Sequence, residues 1–163
     1  MHKWNKLILA YGLPGSGKST TLHILNSTLQ HTNTKTLLID HDEPRSEKLF
    51  KIIMNEVIDS FNDYGIVILD YVWSHTEIID FLRTISKLIT IDALTLYYFK
   101  PDIELSISND LARNREKSAE KAIRTLDVSE ISKNELQTVT NIKKIILNYR
   151  STYNPAEDNI VLS

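Results

Sequence analysis

The strongest constraint on the fold of this chain is a glycine-rich octet near its start. Residues 12–19 read Gly-Leu-Pro-Gly-Ser-Gly-Lys-Ser and fit the pattern G-x-x-x-x-G-K-[S/T]. An apolar run precedes the octet, and a segment with leucines at helical spacing follows it. Three of the four glycines in the chain lie here, and glycine is needed where the backbone adopts positive φ or presses against a ligand. We therefore predict a strand, a tight loop and a helix in succession.

The residue types of this loop suit the binding of a polyphosphate. Backbone N–H groups of a glycine-rich turn can point inward, and the following helix directs its positive end at the same anion. Lys18 is expected to bridge the β- and γ-phosphates, and the Ser19 hydroxyl is expected to bind magnesium. The predicted ligands are ATP or GTP together with Mg²⁺. The predicted nucleotide-binding residues are Gly12, Gly15, Ser16, Gly17, Lys18, Ser19 and Thr20.

Apolar, strand-like segments alternate with amphipathic segments along the rest of the chain. The predicted strands are residues 6–11, 36–40, 66–70, 94–99 and 159–162. The predicted helices are residues 19–30, 47–61, 76–87 and 130–148, with a further helical segment from 103 to about 113. This alternation predicts a single α/β domain over residues 1–163, a three-layer α/β/α fold with a five-stranded parallel sheet. The strands are apolar throughout, as expected when helices cover both faces of the sheet.

Charged residues follow the second predicted strand, in the sequence D-H-D-E-P-R over residues 40–45. Ligands of open parallel sheets bind beyond the carboxyl ends of the strands, so Asp42 and Arg45 are expected in the same crevice as the loop. Asp42 would accept the proton of an attacking hydroxyl, with Asp40 as the alternative base. Arg45 would hold a phosphate or carboxylate of the acceptor. The alternative is that Asp42 caps the next helix and that Arg45 is solvated.

Asp70 ends the third predicted strand, where phosphate-loop proteins place an aspartate that binds magnesium or its water. We predict Ser19 and Asp70 as the metal-binding residues; the alternative for Asp70 is a role in capping a turn. Trp73 and His75 follow closely. They would either line the acceptor pocket or pack in the interior.

A charged segment over residues 113–124, RNREKSAEKAIR, carries five cationic and two acidic side chains. We predict a short cationic lid over about residues 113–126. Cations supplied over the site would stabilise the charge on the transferred phosphoryl group. Arg113 and Lys117 are the first candidates, since residues four apart share a helix face. The alternative is a solvated helix surface with ion pairs along it.

Composition limits the other classes of function. The chain has no cysteine and five scattered histidines, so no zinc-binding pattern is present. A net charge of −2 argues against a generally basic nucleic-acid coat. No stretch approaches the ~20 apolar residues of a membrane span, and the first residues lack the apolar core of a signal peptide. We therefore expect a cytoplasmic protein without a membrane partner.

With these residues, the chain resembles the small P-loop kinases of the nucleotide-kinase type, which are nucleoside-kinase-like P-loop NTPases. The octet and the D-x-D-x-x-R segment are similar to the phage-type polynucleotide 5′-hydroxyl kinases and, next, to the adenylyl-sulfate kinases. Residues 111–117, 121–123 and 126–128 resemble the lid of the phage enzymes more closely. Lysine stands at 117, where those kinases have arginine, and the lid is slightly longer.

The resemblance implies transfer of the γ-phosphoryl group of ATP or GTP to a hydroxyl, first of all the 5′-hydroxyl of a polynucleotide. It implies Lys18 on the phosphates, Ser19 on magnesium, Asp42 as general base and Arg45 on a phosphate of the acceptor. Arg113 and Lys117 would be the lid cations. The alternatives are a small-molecule or nucleotide kinase, a toxin or resistance enzyme that modifies a metabolite, and an NTP-binding regulatory module without phosphotransfer.

Overall fold

The computed structural model describes residues 3–41, 46–113 and 118–157. Within these ranges the chain forms five strands and six helices. The strands are β1 (Lys6–Tyr11), β2 (Thr36–Asp40), β3 (Ile66–Asp70), β4 (Ala93–Lys100) and β5 (Lys144–Ser151). The helices are α1 (Lys18–Leu29), α2 (Glu47–Ser60), α3 (His75–Leu88), α4 (Ile103–Ala112), α5 (Glu120–Thr125) and α6 (Lys133–Val139).

All five strands form one parallel sheet with the order β2-β3-β1-β4-β5. On one side of β1 lie β3 and then β2, and on the other side lie β4 and then β5. The chain therefore builds the sheet in opposite directions from β1, and the strand order reverses there. Such a switch point opens a crevice beyond the carboxyl ends of the strands. The glycine-rich octet follows β1 directly, so it lies at this crevice.

The buried side chains of β1 alternate between the two faces of the sheet, because successive residues of a strand point in opposite directions. Leu7, Leu9 and Tyr11 belong to a large apolar cluster that also contains the buried faces of α2, α3 and α6. Ile8 and Ala10 belong to a smaller cluster on the other face, which α1 covers. Helices thus lie on both sides of the sheet, as the predicted three-layer fold requires.

Serine residues cap α2 and α3, two of the helices that follow the carboxyl ends of the strands. The Ser46 hydroxyl accepts a hydrogen bond from the Leu49 N–H at 3.0 Å at the start of α2. At the start of α3, Ser74 and Glu77 form a reciprocal capping box. Each cap contributes about 1 kcal/mol. These caps place the first turns of α2 and α3 side by side at the same edge as the octet.

The predicted helix over residues 130–148 is wrong. The structure has the short helix α6 in this region, and it then has the strand β5. The cause is tertiary: β5 pairs with β4 along its whole length, from Ala93↔Lys144 to Lys100↔Ser151, and this ladder outweighs the local helical spacing of apolar residues. The sheet therefore has the predicted five parallel strands, but its fifth strand comes earlier in the chain. Residues 159–162, predicted as that strand, lie outside the described residues.

The helix predicted from 103 to about 113 is confirmed as α4. In the part of the chain that the structure describes, no helix combines the length and apolar character that crossing a membrane requires.

Candidate functional site

Two glycines of the octet occupy backbone conformations that other residues rarely adopt. Gly15 has φ 79° and Gly17 has φ 101°. A Cβ atom on Gly15 would collide with the carbonyl oxygen of Ser106, and one on Gly17 would lie 2.8 Å from Tyr153 Cβ. Both positions therefore need glycine for conformation and for space. The third glycine, Gly12, is buried against Phe99, so it serves close packing beneath the loop.

Hydrogen bonds hold the octet in a curved shape around the Lys18 side chain. Lys18 Nζ donates to the Leu13 carbonyl oxygen at 2.7 Å, and the Ser16 N–H donates to the same oxygen at 3.2 Å. Lys18 is only 5% exposed. The loop backbone therefore holds the ammonium group, and Lys18 also lines the cleft described below.

Asn109 of α4 ties the loop to the segment after β5. Its Nδ2 donates to the Gly15 carbonyl oxygen at 2.9 Å and to the Tyr153 carbonyl oxygen at 2.7 Å. The Tyr153 N–H in turn donates to the Ser16 carbonyl oxygen at 2.8 Å. Two segments that are distant in the chain, α4 and the segment after β5, thus support the shape of the octet.

A cleft of about 300 Å³ lies over the octet, at the small end of the range for ligand pockets. It brings together several of the residues predicted from sequence, namely Gly15, Gly17, Lys18, Ser19, Thr20, Asp70 and Arg113. The other lining residues come from the strand ends, α4 and the segment after β5: Pro14, Asp40, His41, Tyr71, Val72, Asn109, Ala112, Tyr153 and Pro155. Ser16 is buried, at 1% exposure.

Two aspartates from neighbouring strands meet at one side of the cleft. The parallel register pairs Asp40 of β2 with Asp70 of β3. His23 of α1 joins them, with its Nε2 3.3 Å from Asp40 Oδ2. One potential ligand atom from each of these three residues lies within 4.8 Å of the other two.

Asp70 is the buried member of this group, at 6% exposure. Burial raises the pKa of Asp70 above the ordinary carboxyl value, and the negative charge of Asp40 raises it further. The hydrogen bond from the Ser19 hydroxyl opposes this shift, as do the charges of Lys18 and His23. Asp70 Oδ2 is buried without a hydrogen-bond partner among the described residues. An ionised carboxylate in this position is costly unless a cation joins it. The Ser19 hydroxyl and the Asp70 carboxylate are oxygen donors of the kind that Mg²⁺ prefers, so the two residues fit such an ion.

Replacing Asp70 by asparagine should stabilise the ligand-free protein by about 1 kcal/mol at neutral pH, since the buried charge is removed. The pKa of Asp70 is raised in the fold, so the folded state holds the proton more tightly than the unfolded state. The wild-type protein should therefore lose stability as pH rises from the ordinary carboxyl range through the raised pKa. Below that range, the free energies of unfolding of the wild type and of Asp70→Asn should become equal. Urea unfolding across the pH series measures this difference.

The matched control is Asp63→Asn, because Asp63 is exposed. This change should leave the pH dependence as in the wild type. A wild-type protein that gained stability over Asp70→Asn as pH rose would contradict the argument. Added Mg²⁺ should stabilise the wild type more than the variant, since a ligand that binds only the folded state raises its stability.

The predicted lid is described in part. Arg113 follows α4, is exposed and lines the cleft. Further along, the Asp110 carboxylate accepts a hydrogen bond from the Ala119 N–H at 2.8 Å and so anchors the start of α5. Arg124 pairs with Glu120 and Glu104, so this end of the segment has the ion-paired helix surface given above as the alternative. Lys117 lies outside the described residues.

The two predicted acceptor residues, Asp42 and Arg45, also lie outside the described residues.

Trp73 is fully buried and packs at 4.9 Å, centroid to centroid, against the ring of Phe81. It is therefore a packing residue. His75 Nε2 lies 3.4 Å from Glu135 Oε1 and thus faces α6.

The sequence did not predict the positions of four residues at the site. Asp40, as a neighbour of Asp70, and Asn109 and Tyr153 line the cleft, and His23 lies beside Asp40. His23 and Asp40 leave a signal in the sequence. His23 follows Ser19 by four residues, which places both on one face of a helix, and Asp40 ends a strand as Asp70 does. Asn109 and Tyr153 leave none, because only the tertiary structure brings them to the octet.

Comparison with known proteins supports the architecture. No protein-family model matches the chain, and no curated protein matches it. Solved structures do match, among them one described as "Crystal structure of APE1195", with a TM-score of 0.59 and 21% identical residues. The match covers 90% of this chain and 86% of that one. At this level of identity the similarity shows the fold alone: an α/β protein with a five-stranded parallel sheet, compatible with three layers.

Proposed function

We propose that this protein is a kinase that transfers the γ-phosphoryl group of ATP or GTP to a hydroxyl group. The observation that carries the proposal is the arrangement of the cleft at the switch point of the sheet. There Lys18 and Ser19 face Asp70, a buried carboxylate with one oxygen unpaired among the described residues. A phosphate loop opposite an acidic strand end is the common framework of P-loop phosphotransferases.

The donor side of the cleft contains the residues that this reaction needs. Lys18 would exchange its hydrogen bond to the Leu13 carbonyl for the phosphate oxygens. Ser19 and Asp70 would hold Mg²⁺, which supplies charge neutralisation at the phosphates when it is bound. Arg113 is exposed at the rim, and its side chain has no ion pair within the described ranges. It is thus available to approach the transferred group.

The acceptor side rests on the sequence. Asp42 and Arg45 lie between the end of β2 and the start of α2, and both elements meet the carboxyl edge of the sheet. Asp42 would orient and deprotonate the acceptor hydroxyl. Arg45 would hold an anionic group on the acceptor.

Two acceptor classes follow from different observations. The resemblance to phage-type kinases favours a polynucleotide 5′-hydroxyl. A groove of about 880 Å³ between α2 and α3 favours a small molecule. Three acidic side chains and one basic side chain line this groove, together with apolar and neutral ones: Glu47, Glu77, Asp80, Lys51, Phe50, Met54, Ser46, Asn55 and Thr84. Asp80 is paired with Arg83, and Lys51 offsets part of the charge of the two glutamates. The lining offers no excess of cations to bind a phosphodiester chain, so the groove suits a neutral or amine-bearing alcohol better.

A panel of acceptors tests the proposal. Purified protein is incubated with Mg²⁺ and ATP labelled at the γ-phosphate. The acceptors are 5′-hydroxyl DNA and RNA oligonucleotides, nucleosides, nucleotides, polyols and amino sugars. We expect label transfer to one class. Oligonucleotides that already carry a 5′-phosphate are the matched control for the first class.

The panel also separates the alternatives. Transfer to a small alcohol alone would select the second acceptor class. Binding of ATP without transfer to any acceptor would contradict the kinase proposal and favour an NTP-binding regulatory module. Failure to bind ATP or GTP would contradict both.

A further inference from the structure

Four side chains with metal-binding atoms converge at the acidic side of the cleft, for a reason that the secondary structure explains. Ser19 and His23 are four residues apart on α1, so they share one face of the helix. Asp40 and Asp70 are paired across β2 and β3, so they share one edge of the sheet. Because α1 covers this region of the sheet, the helix face and the sheet edge meet.

A cluster of acidic groups does not by itself indicate a site, but this one contains a second observation. Asp70 is buried, with only 6% of its surface exposed. Its Oδ2 has no hydrogen-bond partner among the described residues. The same carboxylate lines the cleft beside Asp40. A buried carboxylate oxygen that accepts no hydrogen bond needs a cation or a proton.

We propose that His23, Asp40 and Asp70 form a binding site for a divalent first-row transition-metal ion, such as Mn²⁺ or Co²⁺, that fills without nucleotide. The imidazole nitrogen decides the class of ion. Mg²⁺ prefers oxygen ligands only, whereas a mixed nitrogen and oxygen set suits transition-metal ions. The site goes beyond the proposed kinase function, since it needs neither ATP nor an acceptor.

The contact between His23 and Asp40 has a simpler explanation as a surface ion pair. Their side chains are 53% and 48% exposed, and such a pair contributes at most about 1 kcal/mol. That explanation does not account for the buried Oδ2 of Asp70, which has no hydrogen-bond partner among the described residues. The half-exposed side of the cluster would leave room for water as the remaining ligands of an ion.

Metal titration of the nucleotide-free, full-length protein tests this site. Binding of Mn²⁺ is followed by the electron paramagnetic resonance of the free ion, binding of Co²⁺ by visible absorption, and binding of Mg²⁺ by calorimetry. We expect one Mn²⁺ per chain, bound at least tenfold more tightly than Mg²⁺. His23→Ala should weaken Mn²⁺ and Co²⁺ binding by about tenfold or more, as loss of one ligand does, and should change Mg²⁺ binding less than threefold.

The matched control is His31→Ala, because His31 is exposed just beyond α1 and outside the cluster. It should bind Mn²⁺ as the wild type does. Thermal unfolding checks that each variant folds. Equal Mn²⁺ affinity in wild type and His23→Ala would overturn the proposal, because it would show that the imidazole is not a ligand. An equal loss for Mn²⁺ and Mg²⁺ would also overturn it, because it would show that His23 does not select the class of ion as a nitrogen ligand should.

The test of the metal site gives a result that does not depend on whether the protein is a kinase. ATP binding and label transfer are measured on the wild type in Mg²⁺ alone. A protein that binds Mn²⁺ through His23 but fails those assays would retain the metal site and lose the kinase function. The opposite result would retain the kinase function and exclude the histidine from the metal site.

Discussion

Replacing Lys18 by methionine should lower phosphoryl transfer by about 10³-fold, the loss typical of removing one group aimed at developing charge. Methionine keeps the length of the side chain and removes the charge that would meet the phosphates. Lys18 lines the cleft, so methionine would put an apolar group where the ammonium group now lies. The measurement is the initial rate of label transfer to the acceptor found by the panel, together with ATP affinity by calorimetry.

The control for this variant is Lys87→Met, an exposed lysine in the last turn of α3. Its transfer rate should equal that of the wild type. Lys18→Met also removes the donor to the Leu13 carbonyl, which costs about 1 kcal/mol of stability, so thermal unfolding must show a folded variant. A rate within threefold of the wild type would exclude Lys18 from the reaction. A loss would support the nucleotide site alone, since every version of the proposed function needs this lysine.

Replacing Asp42 by asparagine should lower transfer by about 10²-fold or more while ATP affinity stays unchanged, as for a general base. The reason is that, in the proposed function, Asp42 would act on the acceptor, whereas the glycine-rich octet and Asp70 would hold the donor. Single-turnover transfer and ATP binding are measured on the same preparation. Equal transfer in variant and wild type would remove Asp42 from the base role.

Asp40→Asn is the informative comparison, because Asp40 is the alternative base and lies beside His23 and Asp70. If Asp40 binds the metal ion and does not act as the general base, Asp40→Asn should bind Mn²⁺ more weakly than the wild type. Asp42→Asn should leave Mn²⁺ binding intact. The two variants therefore differ in metal binding and assign a separate role to each aspartate. Loss of Mn²⁺ binding in Asp42→Asn would contradict this assignment.

Most of the sheet could be predicted from sequence because its strands are short, apolar and separated by clear helical segments. The first four strands begin and end within one residue of their predicted limits. The fifth could not be predicted in this way. Residues 144–151 carry apolar side chains at spacings that also fit a helix, and their conformation is decided by pairing with β4.

The candidate site likewise contains residues that could be predicted from the sequence and residues that could not. The octet and Asp70 were predictable because each is a local signal: glycines where φ is positive, and an aspartate at the end of an apolar strand. The partners of the octet were not predictable. Asn109 lies 94 residues from Gly15 in the chain, and Tyr153 lies 44 residues from Asn109.

By itself, the sequence determined the glycine-rich loop between β1 and α1, the order of strands and helices along most of the chain, and the residues that end the strands. These features depend on backbone preferences and on apolar periodicity, which neighbouring residues encode. The tertiary structure alone decided the fifth strand, the support of the loop by Asn109 and Tyr153, and the meeting of His23, Asp40 and Asp70. Those contacts depend on strand register and on which helix covers which face, and distant parts of the chain must pack together before either exists.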